Sequence, residues 1–468
     1  PLLPPMPKIG GVRSELTEPR SRTIQQRVLK NGLTVVILES HLVPIVQIIG
    51  AVRAGDVYDP PGKRGVSAVT AACLNYGSSR HNRLQLWQLQ EDIGLPPPAM
   101  LRFEGGTETI TFQTRCLSRD FALQAGNLAD ILTGPAFAEA DVEKAKQEVS
   151  GSIKRSDESL PGRVDRALVR SLIVPGSAYY PGDSADLTRS IAALRAADLK
   201  SFHQQYIVPG LTTIVIAGDI TVEQAVQVLE KACATWTGKA SHPRPPVQVA
   251  SRKVMRATLP TREGAESMMC LGQLLGAPRS QQEYAQVMAA DCALVGHPII
   301  ARVGQLWGAE PVLAQKVGLD AVQSRLEPVG NLLKWSLSLV SPADAMARAM
   351  QALLSETRKL AKTGVAPEEL VEVKRYLTGS VPVRQMANLS VAARSILDSV
   401  MAGGEADFVP RLVGAISAST AESVNRTIRS ILKPDQATMV IAAGPQTMKN
   451  IREQVLSPRP KQTANQAR

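Results

Sequence analysis

"SIAALRAADLKSFHQQYIVPGLTTIVIAGD", residues 190–219, lies without a gap over residues 415–444, "AISASTAESVNRTIRSILKPDQATMVIAAG", at a constant offset of 225. In both copies a helix of period near 3.6 runs into a proline, Pro209 or Pro434, and then into a short β-branched strand that ends by a glycine. A second register, offset by 228, joins 139–153, "EADVEKAKQEVSGSI", to 367–381, "PEELVEVKRYLTGSV", and places Lys146, Gly151 and Ser152 on Lys374, Gly379 and Ser380. Only a few residues of loop separate the two registers, so the chain reads as two homologous domains, each a sheet with helices packed on it. The recurring Gly-Ser pair reads as a position of close helix packing.

Working outward, 23–237 forms the N-terminal domain and 253–455 the C-terminal one, with a linker at 238–252 rich in Pro, Ser and basic residues. Residues 1–22 are expected to be an extended segment and 456–468 a tail. The Pro-rich lead starts at Pro1 and reads as a processed end from which any address signal has gone. The first domain opens on "QQRVLKNGLTVVILES", where Asn31-Gly32 between two β-branched runs marks a hairpin. "PIVQIIGAVRAGDVYDP" adds a buried strand, "NRLQLWQLQEDIG" a helix, and "TETITFQTRCL" a further strand before helices at 118–133 and 139–155.

Composition narrows the functional classes. Of 468 residues 44% are hydrophobic and 20% charged, enough to bury two sizeable cores. No apolar run approaches the roughly 18 residues that span a bilayer, the longest ending at Arg53. The net charge of +11 is scattered and aromatics are only 4%, which argues against a nucleic-acid partner. The five cysteines are odd in number and widely spaced, and read as small buried hydrophobes.

The ordered set "LKNGLTVVILE", "VRAGDVYDPPGKRGVSAVTAACLNYGSS", "CLSRDF", "YIVPGLTTIVIAGDIT" and "PEELVEVKRYLTGSVPVR" resembles the pitrilysin/insulinase-type zinc metallopeptidases over residues 23–450. The relevant branch holds the two-domain subunits of mitochondrial processing peptidase, the core proteins of respiratory complex III and the bacterial paired peptidases. Members carry H-x-x-E-H on a helix, where two His one turn apart grip zinc and the Glu acts as base on a metal-bound water. Laid between Gly65 and Gly77, the resemblance puts those three positions on Ala68, Ala71 and Ala72, and the third ligand on Ser152, with Ala145 at a companion acidic position. Glu148 stands one turn out of register. The five His form no i,i+4 pair. The second-domain Arg and Tyr that hold substrate in the family fall on Ala314 and Ala321 of "LAQKVGLDA".

The family's peptide-binding strand edge follows the second helix, where Pro96, Pro97 and Pro98 have no N–H to offer. Without the resemblance, 65–79 reads as a core helix with Val66, Val69, Cys73 and Leu74 on one face. Trp307 reads equally as buried or as a partner contact, and Arg80, His81 and Arg83 as a solvated loop rather than an anion site.

The resemblance implies an α+β fold of two homologous α/β-sandwich domains, each a mixed, mostly antiparallel sheet packed with helices, and a noncatalytic subunit that shapes a chamber and stabilises an active zinc-bearing paralogue, with no catalytic, metal or substrate-binding residues and no cofactor of its own. Zinc is expected only in the partner. Two alternatives are a structural core subunit of a larger membrane-associated, complex III-like assembly and a scaffold that associates with copies of itself. The wording of the landmarks points to a bacterial periplasm or envelope, the alternative being the matrix side of the mitochondrial inner membrane.

Overall fold

The computed structural model describes residues 24–238, 242–250, 256–278, 280–296 and 301–456. The segment 1–22, most of the tail 456–468, and residues 239–241 and 251–252 of the linker lie outside them. A six-stranded sheet is built in the first half from β1 (Ile24–Val28), β2 (Thr34–Glu39), β3 (Ile45–Val52), β4 (Arg102–Gly105), β5 (Ile110–Leu117) and β6 (Thr212–Gly218), in the order β1-β2-β6-β3-β5-β4. A five-stranded sheet follows from β7 (Arg256–Pro260), β8 (Ser267–Gly276), β9 (Val322–Val329), β10 (Leu332–Ser341) and β11 (Thr438–Ala443), in the order β7-β11-β8-β10-β9. Removing β1 makes the two orders identical, and in each sheet one parallel pair, β2 with β6 and β7 with β11, sits among antiparallel ones. The repeat seen in the sequence is therefore a repeat of topology.

The hairpin between β1 and β2 forms where expected. Gly32 takes a φ of 92°, which its missing Cβ allows. Asn31 fixes the turn by accepting from the Leu33 N–H at 3.1 Å and by donating to the carbonyls of Cys233 and Trp236 at 3.3 and 3.2 Å.

The recurring lysines have one geometric job in both halves. Lys146 Nζ donates to the carbonyl of Leu194 at 3.1 Å, and Lys374 Nζ to the carbonyl of Ser419 at 3.0 Å. Leu194 and Ser419 correspond in the 225-residue register and are the C-caps of the helices Ser184–Ala193 and Phe408–Ala418. Each lysine thus brings a cation to the negative end of a helix, where end carbonyls lack intrahelical partners. The recurring glycines do not mark close packing. A methyl on Gly379 would meet nothing within 4 Å, and one on Gly151 only the Arg155 side chain. Ser152 is exposed.

One face of each sheet is covered by helices from its own half, and the other face by a helix from the opposite half. Val36, Leu38, Ile49, Ala51, Val215 and Ala217 of the first sheet pack on Ala392, Ala393, Ile396 and Leu397 of the helix Leu389–Met401. Reciprocally, the helix Leu160–Leu172 lies on β8 and β11. Its Leu168 sits so close to Gly272 that a methyl there would come within 2.7 Å. Each exchanged helix follows the lysine-bearing helix of its own half, Glu139–Glu158 or Pro367–Met386, so the exchange obeys the repeat.

Polar contacts pin the seam. Ser390 Oγ donates to Gln47 Oε1 of β3 at 2.6 Å, and Lys334 of β10 pairs with Asp165 at 2.9 Å. Glu108 receives the Gly330 N–H at 2.7 Å and pairs with Arg244 of the linker at 2.9 Å.

Candidate functional site

The helix Val66–Leu74 occupies the centre of the first half. Asp59 holds its start, accepting from the N–H groups of Gly65 at 2.5 Å and Ser67 at 3.0 Å, as suits the positive end of a helix. The expectation of one buried face is too narrow. All its residues except Ala68 are buried, because the edge strand β4 lies against the side where Ala68 and Ala71 stand. A methyl placed on Gly105 of β4 would lie 3.2 Å from Ala68 Cα and 3.4 Å from Ala71 Cβ.

The residues singled out in the sequence fall as follows. Ala71 and Ala145 are fully enclosed and Ala72 nearly so, while Ser152 and Glu148 point to the surface. Ala321 ends a short 3-10 turn before β9 and is partly buried; Ala314 lies in the short helix Pro311–Lys316. Trp307 is buried in the second core. All five cysteines are buried and unpaired. Burial, reinforced by the carboxylates of Asp141 and Glu148, pushes the Cys73 thiol up to about 12, so it holds no thiolate at neutral pH.

The histidines are dispersed. His41 pairs with Asp219 at 2.7 Å, and His81 lies 4.0 Å from Asp130, which also binds Arg80 at 2.9 Å. His242 packs against the Tyr206 ring at a tilt, with centroids 4.6 Å apart, and His297 lies outside the described residues. Ser118 also donates to Asp219, at 2.8 Å. The order Ser118–Asp219–His41 puts the acid, not the imidazole, beside the hydroxyl, the reverse of a nucleophilic triad.

His203 is buried, with Nε2 3.0 Å from the Leu132 carbonyl, and burial lowers its pKa from 6.5 to about 4. Above pH 6.5 the imidazole is neutral in folded and unfolded chains alike. As pH falls towards 4 only the unfolded chain takes up the proton, so stability is lost across that window, by up to about 3 kcal/mol. His203→Gln is expected to show a flatter loss than the parent in urea melts between pH 7 and 4. Part of Asp56 reaches solvent, yet its carboxyl is hemmed in by protein and faces Asp59, which pushes it up to about 6. It acts in the opposite sense, favouring the fold as pH falls, and equally in both proteins, so the comparison isolates the histidine.

The free edge of β4 is closed from within. Asn75, at the C-cap of the central helix, donates to the Phe103 carbonyl at 3.0 Å and accepts from the Phe103 N–H at 2.8 Å, the pair of bonds a neighbouring strand would make. Two residues earlier, the Leu101 N–H donates to Gln90 Oε1 at 2.6 Å. Gln90 is buried and receives a further bond from Gln124 at 3.2 Å, whose Nε2 also reaches Thr114 Oγ1 at 2.6 Å. Beyond the strand, the carbonyls of Gly106 and Thr107 accept from the N–H groups of Asp56 and Val57 at 3.1 and 3.0 Å. The three prolines only shape a 3-10 turn, Pro97–Ala99, ahead of the strand. Side-chain amides, not missing N–H groups, seal the edge.

Asn75 and Gln90 escaped sequence reasoning, since each reads as an ordinary polar residue at a helix end. In the second half a helix-end residue instead binds side chains of the sheet, leaving the backbone of the edge strand untouched. The helix Gln281–Asp291 ends on Asp291, whose enclosed carboxylate accepts from Ser324 Oγ of the edge strand β9 and from Trp335 Nε1 at 3.1 Å.

The fold is that of a known family. A solved structure described as the peptidase M16 inactive domain from Pseudomonas fluorescens aligns with a TM-score of 0.78 at 18% identity, over 90% of this chain and 98% of that one. Residues 193–377 match the family model described as peptidase M16 inactive domain. The chain is M16-like, and the matches are described as inactive or non-peptidase members. It is 20% identical over 429 residues to the "non-peptidase homolog YmxG" of Helicobacter pylori, covering 90% of this chain and 94% of that protein. The first half of the periplasmic protease PqqL from Escherichia coli aligns with a TM-score of 0.73 at 14% identity, over 92% and 93% of the two chains.

Methyl groups stand at 68, 71 and 72, and among the described residues no three His, Cys, Asp or Glu side chains gather into a metal-holding group. No helix among the described residues is long and apolar enough to cross a membrane.

Proposed function

We propose that this M16 homologue is the noncatalytic subunit of a metallopeptidase pair in a bacterial periplasm or envelope, forming the wall of a chamber opposite a zinc-bearing paralogue. One observation carries the reading: a complete two-domain peptidase frame is kept while Ala68 and Ala71 are packed directly under the edge strand β4. In this reading Ala68, Ala71, Ala72 and Ser152 are the vacated ligand and base positions, and Ala314 and Ala321 the vacated substrate-holding pair. The sealed edge of β4 removes the remaining way to bind a peptide as an added strand. What the chain retains are surfaces. The likeness to a protein described as periplasmic supports the compartment.

Affinity purification of the chain from its native source tests this. The expected result is a co-purifying two-domain peptidase that carries zinc and loses activity or half-life when the chain is deleted. Recovery with respiratory subunits would favour the core-subunit reading, and recovery of the chain alone the scaffold. Chelator-sensitive proteolysis by the isolated chain would contradict all three.

A further inference from the structure

The helix Arg83–Asp92, "RLQLWQLQED", is capped at its start by Asn82 and Gln85 but buries only Leu86 and Gln90. Leu84 is 76% and Trp87 41% exposed, two large apolar side chains on one short helix. At about 100° per residue, Arg83, Trp87, Glu91 and Leu84 fall in that order within an arc of about 100° that starts beside the buried Gln90 and turns away from it and from Leu86. The Arg83 guanidinium is stacked 5.0 Å from the Tyr76 ring and 5.6 Å from the Trp87 ring, which orients it. Among the described residues no carboxylate pairs with Arg83, and no cation pairs with Glu91 or Asp92. The face thus carries an unpaired cation, Arg83, at one end, an unpaired carboxylate, Glu91, at the other and exposed apolar groups between.

We propose that this face docks on the same face of a second copy of the chain, the two helices running antiparallel about a two-fold axis. An isologous contact requires a self-complementary surface, and this one is. With Trp87 at the axis, Arg83 of each copy meets Glu91 of the other, and Leu84 and Trp87 are covered. One helix pair buries less than the roughly 1,200 Å² of a stable dimer, so association is concentration-dependent and weakens with salt. The inference does not rest on the paralogue reading, since it is argued from the side chains of this helix alone.

Sedimentation velocity of the full chain, from low to several hundred micromolar at low and high salt, tests it. The wild type is expected to shift from monomer to dimer with concentration. Arg83→Glu and Glu91→Arg, each made alone, weaken the dimer by roughly tenfold or more. Mixing the two single variants restores it, since both mixed pairs then have opposite charge, and so does the double variant, in which only an antiparallel contact brings opposite charges together. Unchanged thermal melts show that these surface variants fold. A wild type that stays monomeric, a dimer indifferent to either reversal, or failure of both the double variant and the mixture to restore association overturns the proposal.

Discussion

Ala71→Glu is expected to destabilise the protein by on the order of 3–5 kcal/mol without creating a metal site. Ala71 is fully enclosed, and the backbone of β4 at Gly105 occupies the space a longer side chain needs. A carboxylate there is desolvated and has no cation to pair with, and it must also force the strand off the helix. At roughly 2–4 °C per kcal/mol for a chain of this size, the melting temperature should fall by about 10 °C. The fuller restoration, Ala68→His with Ala71→Glu, Ala72→His and Ser152→Glu, inherits the same loss. After dialysis it is expected to retain far less than one zinc per chain by metal analysis. Stoichiometric zinc at undiminished stability would show that β4 yields easily and that the seal is cosmetic.

The second large effect concerns the exchanged helices. Leu168 and Ile396 are the side chains by which each half covers the other's sheet, and both are buried. Truncating either, Leu168→Ala or Ile396→Ala, removes buried methyls and leaves a cavity, at a cost of about 2–5 kcal/mol each. The location of the damage matters more than its size. Leu168 belongs by sequence to the first half but packs on β8 of the second, so its loss should raise amide exchange in β8 and β11 before β3. Ile396→Ala should do the reverse, loosening β3 and β6 first. Protection lost in the half that carries the substitution would contradict the exchange.

Sequence patterning exposed much of this fold, for reasons that separate what it missed. The Asn31-Gly32 hairpin, the buried run of β3 and the paired helix-proline-strand units are local signals, each set by neighbours within a few residues. Lys146 and Lys374 stood out because the same contact is repeated, although its target carbonyl lies 48 and 45 residues away. The exchange of helices was hidden, since a 3.6-residue period tells that a face is apolar but not which sheet it meets. The seal on β4 was hidden for a different reason. Asn75 and Gln90 act on Phe103 and Leu101 across 28 and 11 residues, and no spacing rule links an amide to a strand edge. The prolines offered a plausible wrong cause because they stand next in sequence to the strand that is closed. Gly151 and Gly379 mislead similarly: identity between repeats suggests a close contact, but Gly379 faces open space and Gly151 only the end of the Arg155 side chain.

The reciprocal cover of the two sheets also bears on chain cleavage. A protease cutting at the exposed residues around Pro243 would leave two fragments, each with an apolar sheet face that only the other fragment's helix fits. Neither fragment has a reason to leave, and each lacks a wall without the other. Covalent continuity through the linker is then a convenience of synthesis, and the protein behaves as a clasped pair whose halves recognise one another with or without the peptide bond between them.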